Sequence, residues 1–156
     1  MTPAIRAAEA GGVPLTLHRY EHDARAGPFG LEAVEKLGVT PERVFKTLIA
    51  EVDGKRLVMA VLPAARRLDL KKLAAAAGGK KADMTDPAAA ERATGYVLGG
   101  VSPLGGKRTL AVFVDESARR HPTIYVSAGR RGLQLELAPA DLIHLTAATM
   151  ADLGVA

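Results

Sequence analysis

Alternating apolar and polar positions predict a β-hairpin near the middle of the chain. Residues 44–52 and 55–62 are strand-like runs joined by Asp53-Gly54, a dipeptide typical of two-residue hairpin turns. Shorter runs of the same kind predict five more strands. They lie at 14–20, 96–98, 110–114, 123–126 and 133–137.

Capping residues mark the predicted helices. Thr2 and Pro3 suit the N-cap and first turn of an opening helix that ends at Gly11-Gly12. Further helical segments are predicted at 31–37, 40–42, 68–77, 86–92 and 139–145. Helices inserted among strands that are partly joined by hairpins predict an α+β fold with a mixed, curved sheet. A regular doubly wound βαβ sheet fits less well.

The composition narrows the classes of function. With 156 residues, 48% of them apolar, the chain is expected to form a single domain over residues 1–156. It has no Cys, which excludes disulfides, thiolate metal sites and a cysteine nucleophile. The first residues lack a signal-peptide pattern, and no apolar run approaches the ~20 residues that span a bilayer. We therefore expect a cytoplasmic protein without membrane contact.

The charge permits contact with a polyanion. Lys plus Arg number 21 against 17 Asp plus Glu, a formal net charge of +4. The basic residues come in doublets, which can form a phosphate-binding rim or a solvated surface. These doublets are Arg66-Arg67, Lys71-Lys72, Lys80-Lys81, Lys107-Arg108, Arg119-Arg120 and Arg130-Arg131.

A glycine-rich segment between two apolar runs is the first candidate site. Gly99 and Gly100 open it, and Ser102 and Pro103 follow. Glycines let a ligand approach the main chain closely, and proline stiffens the far side of the loop. The segment therefore predicts a loop that holds a ligand.

Lys46 is the second candidate. On the predicted strand it is the only charge on the face that it shares with Val44, Leu48, Ala50 and Val52. Such a lysine either extends to solvent at the strand end or projects into a pocket that holds a phosphate, carboxylate or ester oxygen.

Two aromatic residues bracket one loop. Tyr20 and Phe29 stand at its two ends in a chain with only six Phe and Tyr residues. Each is either a cap on the core or a wall of the site.

Several kinds of site are excluded or disfavoured. His18 and His22 are about 13 Å apart if they lie on one strand, too far to share a zinc ion. His121 and His144 are isolated and are assigned to surface or core. Residues 100–105 have the glycine spacing of a phosphate-binding P-loop, but Gly106 stands where the motif needs Lys and Lys107 where it needs Ser or Thr. No serine stands in a nucleophile elbow. We expect neither a metal nor a cofactor.

Three segments in this order resemble the YbaK/prolyl-tRNA-synthetase-associated editing domains. They are 44–48, 99–105 and 127–133, and further similarity runs from Thr2 to Glu136. The pattern is most similar to the free-standing cysteinyl-tRNA(Pro) deacylase branch. The resemblance implies a mixed sheet curled into a partly open barrel with helices packed outside. The sequence departs from the family pattern at Gln134, where an Asp is expected. A role that needs a carboxylate at this position is therefore in doubt.

The resemblance implies a hydrolase that removes a wrong amino acid, most often cysteine, from tRNA. Activated esters need little acid or base help, so positioning and oxyanion stabilisation are sufficient. The nucleophile is then water or the thiol of the substrate. The alternative is a non-catalytic module that holds aminoacyl-tRNA or a nucleotide beside a synthetase, with prolyl-tRNA synthetase as the candidate partner. The predicted catalytic residues are Lys46, Gly99, Gly100 and Ser102; the predicted substrate-binding residues are Tyr20, Phe29, Pro103, Ser127 and Gln134.

Overall fold

The computed structural model describes residues 1–27 and 29–156; Pro28 and the side chain of Phe29 lie outside the described residues. The described α-helices are α1 (Pro3–Ala10), α2 (Phe29–Leu37), α3 (Leu70–Ala76), α4 (Pro87–Thr94) and α5 (Pro139–Thr146). Short 3-10 helices cover Pro41–Arg43 and Glu116–Arg120. The described strands are β1 (Thr16–Arg19), β2 (Phe45–Val52), β3 (Arg56–Pro63), β4 (Arg67–Leu68), β5 (Ala82–Met84), β6 (Ala111–Asp115), β7 (Ile124–Arg130), β8 (Leu133–Leu137), β9 (Thr149–Ala151) and β10 (Gly154–Val155).

The main sheet has the strand order β5-β2-β3-β6-β9. β2 pairs antiparallel with β3 and β5, whereas β3–β6 and β6–β9 are parallel, so the sheet is mixed. The hairpin between β2 and β3 turns at Asp53 and Gly54, which have φ values of 55° and 63°. Positive φ at both central residues is the geometry that an Asp-Gly turn favours. The register places Lys46 opposite Leu62.

A second, antiparallel sheet has the order β1-β8-β7. It meets the main sheet at one parallel bridge between Val44 and Tyr125, just before β2 begins. β5 pairs only with residues 50–52 of β2. Residues 46–48 of β2 therefore have no strand partner on that side in the described part of the chain, and the two sheets diverge there.

Both faces of the main sheet are buried. Phe45, Ile49 and Met59 pack into the larger core between the two sheets, which α1 and α5 also enter. Ala50, Val58 and Phe113 pack on the opposite face against α3 and Leu153. Successive side chains of a strand point to opposite faces of the sheet, so β2 and β3 contribute residues to both cores.

Local capping explains where helices begin. Thr2 Oγ1 accepts a hydrogen bond from the Ile5 N–H at 3.2 Å, and Pro3 occupies the first turn of α1. Asp69 caps α3 by accepting from the N–H groups of Lys71 and Lys72 at 2.9 and 3.1 Å. The Thr2 cap was predicted from the sequence, whereas the Asp69 cap was not.

The predicted α+β class with a mixed sheet is confirmed. The strand predicted at 96–98 is wrong, because these residues lead into a turn after α4 and pair with no strand in the described part of the chain. The sequence analysis also missed β4, β5, β9 and β10, which are two or three residues long. A single domain over residues 1–156 stays a prediction.

Candidate active site

The gap between the two sheets contains a cavity of about 260 Å³. Its walls come from β2, the turn after β3, the glycine loop at 98–101, β7, β8 and the start of α2. The lining residues are Gly30, Val44, Phe45, Lys46, Thr47, Leu48, Ala64, Leu98, Gly99, Val101, Ser127 and Gln134. Four predicted site residues are thereby brought together: Lys46, Gly99, Ser127 and Gln134.

Lys46 is the single charged side chain among these described lining residues. Its Nζ donates to the backbone carbonyls of Ala64 at 3.3 Å and Arg66 at 2.5 Å. These contacts fix the ammonium against the turn that follows β3. Half-burial lowers the pKa of Lys46 by desolvation. The cavity thus holds one partly desolvated cation, which can orient an ester or stabilise an oxyanion.

The glycine loop approaches β7 too closely for a side chain. A Cβ on Gly100 would lie 2.8 Å from the Cα of Arg130. Gly99 has φ of 87° and lines the cavity. Ser127 joins the two elements, since its Oγ donates to the Gly100 carbonyl at 3.1 Å and accepts from the Gly129 N–H at 3.1 Å. Gly100 therefore supports the cavity wall from behind.

Two buried polar atoms on the cavity wall have no hydrogen-bond partner among the described residues. They are Thr47 Oγ1 and Gln134 Oε1. Gln134 is only 7% exposed. A buried polar atom without a partner costs about 1–3 kcal/mol. Both atoms belong to residues that line the cavity, and a polar ligand that reaches them would supply the missing partner.

Tyr20 lies behind the wall of the cavity. It packs against the cluster that contains Val44, Ala64 and Tyr125, and the first two of these residues line the cavity. Burial raises the pKa of the Tyr20 phenol. The side chain of Phe29 lies outside the described residues, so its predicted role is untested; Gly30, its neighbour in α2, lines the cavity.

Ser102 and Pro103 lie away from this cavity. Ser102 is fully buried, and its Oγ accepts from the Leu104 N–H at 3.2 Å inside the loop. Pro103 lines a different depression, beside Met59 and Leu110. The structure gives both residues places within the fold, and their assignment to the site stays a prediction.

A hydrogen-bond network of Glu32, His22 and Arg131 contacts the glycine loop at the Leu98 carbonyl. His22 Nδ1 bonds Glu32 at 2.7 Å, and its Nε2 accepts from Arg131 at 3.2 Å. Arg131 also donates to the carbonyl of Leu98 at 3.2 Å. Burial alone would raise the pKa of Glu32, but hydrogen bonds from the Asp23 N–H, His22 and Lys36 lower it. The network ties α2 and the β7–β8 turn to the cavity wall.

His18 and His22 have separate partners. His18 bonds Glu136 at 2.8 Å, which Arg43 also contacts at 3.3 Å. Within the described ranges 1–27 and 29–156, no group of three or more His, Cys, Asp or Glu side chains is arranged to hold a metal ion.

Sequence reasoning missed Thr47 as a site residue. Strand alternation assigns Lys46 and Leu48 to one face and Thr47 to the other. Where a strand edge lacks a partner, however, residues from both faces can border the gap. The missing signal was the short extent of β5, which could not be read from the pattern.

The fold and the cavity can now be compared with known proteins. The family model of the aminoacyl-tRNA editing domain matches residues 31–145. The chain is 40% identical over 153 residues to EbsC of Enterococcus faecalis, named as a Cys-tRNA(Pro)/Cys-tRNA(Cys) deacylase, with 97% of this chain and 92% of that protein covered. It is 29% identical over 119 residues to ProXp-y of Escherichia coli, a multifunctional Ser/Thr-tRNA deacylase, with 73% and 71% covered.

A solved structure described as a trans-editing enzyme for prolyl-tRNA synthetase matches with a TM-score of 0.85 at 25% identity, covering 100% of this chain and 99% of that one. The chain belongs to the aminoacyl-tRNA editing domain family. The predicted family and the predicted activity, aminoacyl-tRNA deacylation, are confirmed. None of the helices in the described part of the chain combines the length and apolar character needed to cross a membrane.

Proposed function

We propose that this protein removes cysteine from mischarged tRNA(Pro), acting on the free aminoacyl-tRNA. The observation that carries the proposal is the cavity between the sheets, which is lined by Lys46, Gly99 and two residues with unpartnered polar atoms. The name of the EbsC relative supports cysteine as the amino acid and proline as the tRNA identity. The solved trans-editing structure supports prolyl-tRNA synthetase as a partner.

The proposed chemistry rests on positioning. The Lys46 ammonium and the backbone beside Gly99 hold the ester so that charge developing on the carbonyl oxygen is stabilised. Ser127 Oγ is already used within the fold. Gln134 Oε1 and Thr47 Oγ1 accept hydrogen bonds from the aminoacyl group, and the α-ammonium is the donor that suits a buried amide oxygen. Tyr20 supports the cavity wall from behind, and Phe29 stays a predicted substrate contact.

The nucleophile is the thiol of the substrate or an oriented water. In the first case the thiol sulfur attacks the ester carbonyl carbon, the carbon–oxygen bond to the ribose breaks, and the thiol proton passes to the leaving ribose oxygen. Water then opens the cyclic thioester and releases cysteine. In the second case water attacks the ester directly. The two sheets around the cavity act as a partly open barrel in this proposal, and we place the reaction in the cytoplasm, where aminoacyl-tRNA is used.

Single-turnover deacylation of Cys-tRNA and Ser-tRNA on the same tRNA body tests this proposal. Thiol and hydroxyl are nearly isosteric, so a shape filter separates them only modestly, whereas a thiol requirement gives a far larger difference in rate. We expect rapid loss of cysteine and almost none of serine. Comparable rates would contradict thiol attack and favour water. Faster serine release would favour the activity named for the Escherichia coli relative, and binding without any turnover would favour the non-catalytic module.

A further inference from the structure

A second cavity, of about 220 Å³, lies on the other side of the turn that follows β3. It is bordered by the two 3-10 helices and shares no lining residue with the first cavity. The residues around it are Glu42, Pro63, Ala65, Arg66, Ser117, Arg120 and His121. Ala65, Glu42 and Arg120 are exposed, so the cavity opens at the surface.

The charged groups around this cavity are mostly cationic. Arg66 and Arg120 face a single carboxylate, Glu42, and His121 adds a further nitrogen donor. Arg66 is held in place because its guanidinium donates to the Gly154 carbonyl at 3.2 Å. Arg120 has no ion pair or side-chain hydrogen bond within residues 1–27 and 29–156. Its five N–H donors remain available for a ligand.

A buried hydroxyl gives an independent indication of a ligand. Ser117 is only 8% exposed, and its Oγ has no partner in the described part of the chain. Its backbone N–H donates to Asp115 at 3.2 Å, and Asp115 also accepts from the Leu153 N–H at 2.9 Å. The loop is therefore fixed by Asp115, while the Ser117 hydroxyl beside the cavity has no partner among the described residues.

The chemistry of the lining favours a phosphate group. Two guanidinium groups and a hydroxyl match the oxygens of a phosphate, which arginine can bond in bidentate fashion. No Phe, Tyr or Trp lines the described cavity, so there is no platform on which a nucleobase could stack. The cavity thus suits the RNA backbone better than a base.

One turn connects this cavity to Lys46. The carbonyls of Ala64 and Arg66 both accept from the Lys46 Nζ, while Ala64 lines the first cavity and Arg66 the second. Their Cα atoms are at most about 7.6 Å apart, because consecutive Cα atoms are about 3.8 Å apart. The two cavities therefore share the turn at residues 64–66.

We propose that the second cavity binds a backbone phosphate of the tRNA acceptor end while the aminoacyl ester occupies the first. This inference rests on the proposed function and extends it to the RNA part of the substrate. Arg120, Arg66 and Ser117 supply affinity for the RNA, and the chemistry stays with the Lys46 cavity.

The test compares two substrates and two matched variants. Cysteinyl-tRNA carries backbone phosphates, whereas the cysteinyl ester of adenosine carries none. Arg120→Glu places a negative charge in the cavity; Arg119→Glu makes the same change on the same 3-10 helix at an exposed residue outside it. We expect Arg120→Glu to raise KM for cysteinyl-tRNA about tenfold or more. It should leave hydrolysis of the adenosine ester unchanged, and Arg119→Glu should resemble the wild type on both.

A binding measurement keeps this test independent of turnover. Fluorescence anisotropy with an uncharged acceptor-stem hairpin should show weaker binding for Arg120→Glu than for Arg119→Glu and a shallower dependence on salt. Glu42→Gln should tighten binding, because it removes the opposing charge.

Equal binding by the two arginine variants would overturn the inference. So would weaker binding of inorganic phosphate alone with unchanged binding of the hairpin, which would assign the cavity to a free anion. If the wild-type protein does not hydrolyse the adenosine ester, that result would instead contradict the proposed function.

Discussion

The two cavities on either side of the 63–66 turn differ in how they hold charge. The first is lined mainly by apolar side chains and backbone, with Lys46 as the single charged group among its described residues. The second has two arginines, a histidine and a glutamate around a smaller space. One turn thus separates a site with a single partly buried cation from a site with two arginines.

This difference implies a division of work. A partly buried cation acts strongly on nearby charge, because little water screens it. The interactions of exposed guanidinium groups are largely screened by salt beyond a Debye length of about 8 Å at physiological ionic strength. The first cavity is therefore suited to chemistry, and the second to affinity that depends on salt. The predictions below test whether the two functions can be separated.

Lys46→Met is expected to have the largest effect. It removes the cation and keeps a side chain of similar length, so kcat/KM should fall about a hundredfold, or roughly 3 kcal/mol. Unlike Arg120→Glu, this change should slow the hydrolysis of cysteinyl-tRNA and of the adenosine ester equally. Lys55→Met, an exposed change in the turn of the same hairpin, is the matched control. Near-normal turnover by Lys46→Met would remove Lys46 from the reaction.

Gln134→Leu should separate binding from stability. It deletes the buried Oε1 that has no partner among the described residues, so the free energy of unfolding should rise by about 1 kcal/mol. KM for both substrates should rise about tenfold, because the aminoacyl group loses an acceptor. Urea denaturation and steady-state kinetics measure the two effects.

Gln134→Glu is the conservative control for that prediction. It keeps an acceptor oxygen and should retain most of the binding, at a cost in stability from the buried charge. Unchanged KM in Gln134→Leu would show that Oε1 does not contact the substrate.

The sequence predicted the elements whose signals are local. Asp53-Gly54 marked the hairpin, and Thr2 with Pro3 marked α1, because turn and cap chemistry depend on neighbouring residues. Strands of two or three residues, such as β4 and β10, have too few positions for alternation to appear. Val97 and Leu98 look like strand residues, yet they form the exposed start of the glycine loop.

The site was partly predictable for the same reason. Lys46 was visible as a charge on an otherwise apolar strand face, and Gly99 as part of a glycine-rich loop. The second cavity could not be foreseen, because Arg66 and Arg120 are 54 positions apart in sequence and meet only through packing of the 3-10 helices on β3. Arg119 and Arg120 form one doublet, but only Arg120 lines the cavity.

The pH dependence should show the smallest effect and the sharpest contrast between the cavities. Burial lowers the pKa of Lys46, so the ammonium loses its proton before the pH reaches the ordinary lysine value of about 10.4. Enzymatic hydrolysis of the adenosine ester, corrected for spontaneous hydrolysis, should decline over that range. The Arg120-dependent difference in tRNA binding should persist, because guanidinium groups stay protonated.

The lowered pKa of Lys46 has the opposite effect on the stability of the fold as the pH rises. A lowered pKa means that the charged lysine is disfavoured in the fold, and this cost is fully present below the folded-state pKa. As the pH rises from the folded-state to the unfolded-state pKa, the cost disappears, so the contribution of Lys46 to stability increases while activity falls. Lys46→Arg keeps its charge and should lose both trends, in pH–rate profiles and in denaturation at each pH. A wild-type profile that matches Lys46→Arg would show that titration of Lys46 does not limit the reaction.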